Sequence, residues 1–205
     1  MNQKYELFEK IISYVKGREI LDIGFVDHDL EKSKSPLWVH AFLRKYSKNV
    51  FGIDILKESI KELKQKGYNV AYGNAENFSI KKKFDLIFAG ELIEHLSNPG
   101  LFLDRCKKHL KKGGVLILTT PNSFNLTENI KNVIYLRANP RVNPEHTCYY
   151  TPRTITELIR RSGLSIKKID FFDFYGSNLG KIRFKIIGLL GSRFKRRMMV
   201  IAKAE

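Results

Sequence analysis

An α/β fold built on one mostly parallel sheet, with helices on both faces, is what this sequence predicts, and three observations predict it. Glu19-Ile-Leu-Asp-Ile-Gly24 and Val50-Phe-Gly-Ile-Asp54 are short apolar, β-branched runs that end in a glycine or a carboxylate. Runs of this kind read as strands buried on both faces. One helix-length segment separates them, and the alternation continues to about residue 120, the pattern that crossover helices impose on parallel strands. With 205 residues, 43% of them hydrophobic, the chain can bury a full core as a single domain over 1–205.

Each element has its own signal. Leu7, Ile11, Ile12 and Val15 stand at helical spacing, so residues 2–16 predict an amphipathic helix occupying 1–17. Strand one covers 18–23. A polar stretch over 27–35 follows, and Ser35-Pro36 offers a hydroxyl cap and then a first-turn proline, which predicts a helix to Tyr46. Strand two ends at Asp54, a lysine-rich helix covers 56–66, and strand three covers 68–72. Strand four is 83–89, with a short helical turn over 91–96. A helix over 101–111 is expected to close at Gly113, the residue type that tolerates a left-handed cap. Strand five, 115–120, stops at Pro121 and completes a core over 18–122.

Over 123–205 the pattern loosens. A helix is expected over 125–137 and a loop over 138–150. Thr151-Pro152 opens a helix to Ser162, and strands at 164–172 and 197–203 flank an unassigned segment, 176–193. No crossover helix is evident between those two strands, which predicts antiparallel pairing at the sheet edge. The count is then seven strands in a three-layer sandwich.

Net charge is +16, with a sequence pI near 9.8. Residues 181–205 hold eight bases against one acid, +7 of that total. Interleaved with Ile182, Phe184, Ile186 and Leu189, these bases suit peripheral contact with a membrane surface, or a last helix and strand with solvated charges. A basic balance also suits nucleic acid, although no appended RNA-binding module is present. Cys106 and Cys148 form no metal-ligand spacing, the first residues lack a leader's layout, and no apolar run reaches the about eighteen residues that span a bilayer. The expectation is a reduced, cytoplasmic setting.

The motifs that carry chemistry lie at the carboxyl ends of the strands, where open α/β sheets bind ligands. They are Ile20-Leu-Asp-Ile-Gly24, Gly52-Ile-Asp54, Gly73-Asn-Ala-Glu76, the run from Phe84 through Gly90-Glu91-Leu-Ile-Glu-His95, and Glu145-His-Thr-Cys-Tyr-Tyr150. In this order and at these separations, the chain resembles class I S-adenosylmethionine-dependent methyltransferases. That group includes ubiquinone-biosynthesis-type O-methyltransferases and sugar- or lipid-modifying relatives. The resemblance covers about 18–172 and implies a Rossmann-like fold, S-adenosyl-L-methionine as cofactor, and S-adenosyl-L-homocysteine as product. The implied acceptor is a small molecule, free or linked to a glycan or lipid.

The resemblance also implies roles. Asp54 would accept the ribose hydroxyls, with Ile55 beside it on the cofactor; capping of the following helix is the competing role. Asn74 and Ala75 would read the adenine. Gly90 permits close main-chain approach, and its carbonyl could receive the methionine ammonium. Glu91 and His95, four residues apart, would share one face of a helical turn at the acceptor pocket. His146 is the leading candidate for an acceptor-side base, with Tyr149 and Tyr150 as walls.

The chain departs from the family in the first loop. Three glycines are usual after the strand-one acid, but Asp22-Ile-Gly24-Phe-Val-Asp-His28 keeps only Gly24, and Val26 and His28 stand at the other two positions. A β-branched residue resists positive φ. Either the loop is rebuilt, with Asp22, Gly24, Phe25, His28 or the segment around Trp38 closing on the cofactor differently, or the domain is a non-catalytic binding module. The same lack of glycines argues against a dinucleotide. His28, Asp29 and His40 match no metal-ligand pattern and read as solvated loop residues.

Overall fold

The computed structural model describes residues 6–26, 30–126, 129–130, 143–173 and 191–204. Its elements, labelled in chain order, begin with α1 (Glu6–Val15), β1 (Ile20–Ile23), α2 (Val39–Tyr46), β2 (Val50–Asp54), α3 (Lys57–Gln65) and β3 (Val70–Tyr72). They continue with β4 (Phe84–Gly90), α4 (Pro99–His109), β5 (Leu110–Pro121), α5 (Pro152–Arg161), β6 (Ser165–Phe172) and β7 (Arg197–Lys203). The seven strands form one sheet in the order β3-β2-β1-β4-β5-β7-β6. The first five strands are mutually parallel. β7 runs antiparallel between β5 and the outermost β6, so the expected antiparallel pairing is confined to that side of the sheet.

The register places alternate side chains on opposite faces. Ile20, Val50, Leu86 and Ile117 pack with Leu7, Ile11 and Val15 of α1 and Leu43 of α2. Leu21, Ile23, Ile87 and Leu116 pack with Phe102 and Cys106 of α4 and Ile155 and Ile159 of α5. These two layers give the expected three-layer sandwich. An interior strand, β1, is buried at all four residues, as a strand covered on both sides must be.

Two predicted boundaries move. α2 starts at Val39 rather than after Ser35-Pro36. Ser35 instead closes a tight turn: its Oγ accepts from the Leu37 N–H at 3.1 Å and its carbonyl accepts from the Trp38 N–H at 3.1 Å. α4 stops at His109, because Leu110 already pairs with Phe84. Residues 111–114 then stand opposite Asp85 alone, and Gly113, at φ +74°, serves this excursion and not a helix cap. Thr151-Pro152 behaves as expected, since Thr151 and Thr154 exchange backbone-to-hydroxyl bonds in a capping box.

The expected helix over 125–137 is helical at 126 and 129–130, and its remainder lies outside the described residues, as do His28, Asp29 and residues 181–190 of the basic tail. The described part of that tail contributes β7 to the core. Met198, Met199, Val200, Ile201 and Ala202 are buried in β7. Lys195 Nζ meets Glu6 Oε1 at 2.8 Å and Arg197 Nε meets Glu91 Oε2 at 2.8 Å, so these two charges have local partners. Among the described residues no helix is long and apolar enough to cross a membrane.

Candidate active site

A cavity of about 490 Å³ opens at the carboxyl ends of β1, β4 and β5, the end at which such sheets bind ligands. Asp22, Gly24, Phe25 and Trp38 line one end of it, and Gly90, Glu91, Glu94, His95, His146 and Arg197 line the other.

At the first end the glycine-poor loop is rebuilt. Among the described residues of this loop, Gly24 takes a left-handed backbone, φ +70°, and its N–H donates to the Ile53 carbonyl at 2.9 Å. Phe25 and Val26 turn inward, 7% and 1% exposed, onto Trp38, Ile60, Leu63 and Val70. The Phe25 ring lies over Gly52, where a Cβ would come within 2.6 Å of Cε1. A glycine within β2 is what allows that approach. The crevice is therefore walled by Phe25 and not plugged by it. His40 is no solvated loop residue: it sits on α2, 1% exposed, with Nδ1 at 2.8 Å from Asp22 Oδ2. Burial pushes the Asp22 carboxyl above its ordinary pKa, while His40 opposes the rise. The sequence reading missed His40 because its role depends on a contact with another element.

Asp54 is almost fully buried. Its Oδ1 accepts from the Leu56 N–H and its Oδ2 from the Val26 N–H, each at 3.0 Å. It thus caps the start of α3 and ties the first loop to β2, and the Ile55 N–H is a further backbone donor to it. Burial raises its pKa against those hydrogen bonds. Asp54, Ile55, Asn74 and Ala75 follow the ends of β2 and β3 and do not line the cavity. Ile55 is exposed, Ala75 is buried, and Asn74 Oδ1 accepts from the Glu76 N–H.

At the second end, Gly90 closes β4, and Glu91 takes φ +50°, a strained backbone for a residue with a Cβ. Its N–H bonds to the Thr119 carbonyl at 2.9 Å, and Arg197 holds its Oε2, leaving a buried Oε1 without a protein partner. Glu94, which the sequence reading passed over, lies in the 3-10 turn Ile93–His95 and is 1% exposed. Thr120 Oγ1 donates to its Oε2 at 3.0 Å, and its Oε1 has no protein partner. Burial, and then the Glu91 charge, push the Glu94 pKa up to about 8.

The loop that carries His146 is stapled onto this turn. Thr147 N–H donates to the Glu94 carbonyl at 2.8 Å, and Thr147 Oγ1 donates to the carbonyls of Glu94 and Leu96. The staple sets the His95 and His146 rings edge to face at 4.7 Å, with Tyr149 5.3 Å from His146. Burial and His95 lower the His146 pKa, and its Nδ1 is buried without a protein partner. Tyr149 and Tyr150, expected as walls, do not line the cavity; Tyr150 is buried, and burial and then the Cys148 thiol beside its hydroxyl raise its pKa. One ligand atom each from Glu94, His95 and His146 lie within 4.8 Å of one another, close enough to share a proton through water or to hold a small cation. Thus Glu91, His95 and His146 come together as expected, and Asp22, Gly24, Phe25 and Gly90 share the cavity with them.

The strand order, with β7 reversed between β5 and β6, and a cavity at the β1 and β4 ends define the class I methyltransferase architecture. The chain belongs to the methyltransferase-domain family, whose model matches residues 5–169. A ubiquinone biosynthesis O-methyltransferase of Bradyrhizobium sp. (strain ORS 278) is 30% identical over 175 residues, 80% of this chain and 65% of that protein. The corresponding protein of Nitrobacter winogradskyi is 36% identical over 95 residues, 44% of this chain and 36% of its own length. The chain thus spans from about a third to just under two thirds of these relatives. A SAM-dependent methyltransferase from Archaeoglobus fulgidus shares the fold, with a TM-score of 0.64 at 20% identity, covering 96% of this chain and 91% of that one.

Proposed function

We propose that the chain transfers the methyl group of S-adenosyl-L-methionine to an oxygen on a small molecule, free or linked to a glycan or lipid. The observation that carries this reading is a single cavity with two unlike ends. Close main-chain approach at Gly24 lies at one side, and Gly90, with the buried polar atoms Glu94 Oε1 and His146 Nδ1, lies at the other. The residues fit the cofactor. Glu91 Oε1 would offer a buried acceptor to an ammonium group, and Asp54 and Ile55, at the end of β2 and outside the cavity, would serve the ribose and the adenine. When bound, S-adenosyl-L-methionine supplies an electrophilic methyl group.

The chain's own residues then have two tasks. The first is alignment, because methyl transfer depends mainly on bringing two atoms together in line. The Arg197–Glu91 pair and the Thr147 staple fix the acceptor end for this. The second is removal of the acceptor's hydroxyl proton. His146 is suited to it because its lowered pKa keeps the imidazole neutral near pH 7, with a lone pair available. Glu94, with its pKa pushed up to about 8, is protonated at that pH. The names of the two bacterial relatives support an oxygen acceptor. Calorimetry with S-adenosyl-L-homocysteine tests the reading: micromolar binding is expected, and no heat at millimolar ligand with folded protein would overturn it.

A further inference from the structure

We propose that Trp38 and His40 are positioning residues that replace the missing glycines of the first loop and set the geometry of the cofactor's amino-acid end. The proposal rests on the cofactor reading above and goes beyond it, because both residues lie in a segment to which the family pattern gives no role here.

A glycine-rich loop holds its path because the main chain can adopt conformations closed to other residues. Phe25 and Val26 cannot follow that path, so something else must hold the main chain. Two side chains around the start of α2 do so. Trp38 Nε1 donates to the Phe25 carbonyl at 2.8 Å, and His40 Nδ1 meets Asp22 Oδ2 at 2.8 Å. All four residues are buried. The rings add a second constraint. Phe25 lies 4.4 Å from His40 and 6.3 Å from Trp38, and Trp38 lies 5.2 Å from His40 and 5.6 Å from Tyr68, over which Arg44 stacks at 4.0 Å. Packing in a cluster of this density allows few alternative ring positions. The Phe25 ring sits on Gly52, so its side chain is directed into the cluster and away from the cavity centre.

The hydrogen bonds also fix proton positions. An ionised Asp22 only accepts, so His40 Nδ1 carries the hydrogen and its Nε2, buried with no protein partner, holds the lone pair when the ring is neutral. Asp22 is thereby oriented at the base of the cavity by a side chain that does not itself line it. Downstream, the loop is tied separately, by the Val26 N–H on Asp54. Trp38 and His40 therefore govern residues 22–25, and Asp54 governs the ribose side.

That division makes the test specific. Titrate S-adenosyl-L-homocysteine and 5′-methylthioadenosine, which lacks the amino-acid tail, into wild type, Trp38→Phe, His40→Ala and His40→Asn, with folding checked by circular dichroism. Trp38→Phe removes the indole donor while keeping an aromatic ring, though a smaller one, in the cluster, and His40→Asn keeps a donor at the Nδ1 position. The expected result is at least a tenfold weaker Kd for S-adenosyl-L-homocysteine in Trp38→Phe and His40→Ala. The Kd for 5′-methylthioadenosine should stay within threefold, and His40→Asn should recover to within threefold of wild type. Equal weakening for both ligands would reduce the pair to general packing and overturn the proposal, as would unchanged affinity in folded Trp38→Phe and His40→Asn together with a tight His40→Ala. Wild type binding neither ligand would instead overturn the cofactor reading itself.

Discussion

The β1–β2 end of the cavity and its β4–β5 end treat buried polar groups in opposite ways. At the first, Asp22 meets His40, Trp38 Nε1 meets the Phe25 carbonyl, and both Asp54 oxygens accept backbone N–H groups. Among the described residues, His40 Nε2 is what is left over there. At the second, Glu91 Oε1, Glu94 Oε1 and His146 Nδ1 are buried with no partner among the described residues, and the hydroxyl of Tyr150, which does not itself line the cavity, is buried with no nitrogen or oxygen partner among them. Each such group costs on the order of 1–3 kcal/mol when desolvated and unpaired. One end is therefore finished by folding, and the other is finished by what enters it. The lesson is that the fold completes its own hydrogen bonding at the first end and leaves it incomplete at the second, where the proposed chemistry would lie.

The sharpest way to break this contrast is to remove the base. His146→Asn should lower kcat by roughly 10²–10⁴-fold and leave the Kd for S-adenosyl-L-homocysteine within twofold. Wild-type kcat should rise with pH through a value below 6.5, since the His146 pKa is lowered, and the variant should lose that limb. A variant that weakens S-adenosyl-L-homocysteine while keeping kcat would move His146 to the cofactor side.

Glu94 gives the next largest effect, and it is read in stability. Its pKa rises from 4.5 to about 8 on folding, so the folded state binds a proton more tightly than the unfolded state. The associated stability is fully present below about pH 4.5 and is lost as pH climbs through about 8. A shift of this size corresponds to on the order of 3–5 kcal/mol, or roughly 10 °C in Tm for a domain of this length. In EDTA, so that no stray cation holds the carboxylate ionised, wild type should lose that much Tm between pH 5 and 9. Glu94→Gln should show a flatter profile. Parallel profiles for the two proteins would remove Glu94 from the set of strained groups.

Asp54 tests the finished end. Asp54→Ala should weaken S-adenosyl-L-homocysteine at least tenfold in calorimetry and also lower Tm, because the Val26 and Leu56 N–H groups lose their acceptor. A lower Tm with an unchanged Kd would assign the carboxylate to capping and loop-tying alone, and the ribose would need another partner.

The strands and most helices were legible because buried parallel strands need uninterrupted apolar runs, and Thr151-Pro152 carries its own capping chemistry. Ser35-Pro36 carries the same letters, yet Ser35 closes a turn, and α2 starts only where Trp38 and His40 can reach the first loop. Gly113 looked like a helix cap because local spacing cannot reveal that Leu110 already pairs with Phe84. In the site, Gly90, Glu91 and His95 were legible as a run after a strand. Glu94 stood between them, and only burial against Thr120 distinguishes it. His40 carried no local signal at all, since its partner is on another element.

Tyr150 is the smallest and most discriminating case. Its ring belongs to the core beside Ile155, and its carbonyl accepts from Ser123 Oγ at 2.8 Å, so the residue is held whether or not the hydroxyl is present. That hydroxyl meets no nitrogen or oxygen partner among the described residues, its neighbour being the weakly bonding Cys148 thiol, and deleting it removes a desolvation cost without opening a cavity larger than one oxygen. Tyr150→Phe should therefore leave stability unchanged or raise it by up to about 1 kcal/mol. If the hydroxyl is reserved for the acceptor, the same variant should raise the acceptor KM several-fold while kcat stays within about twofold, the pattern of a binding contact made equally in ground and transition states. A loss of stability would show that the hydroxyl is satisfied within the fold, and the contrast between the two ends would then rest on Glu91, Glu94 and His146 alone.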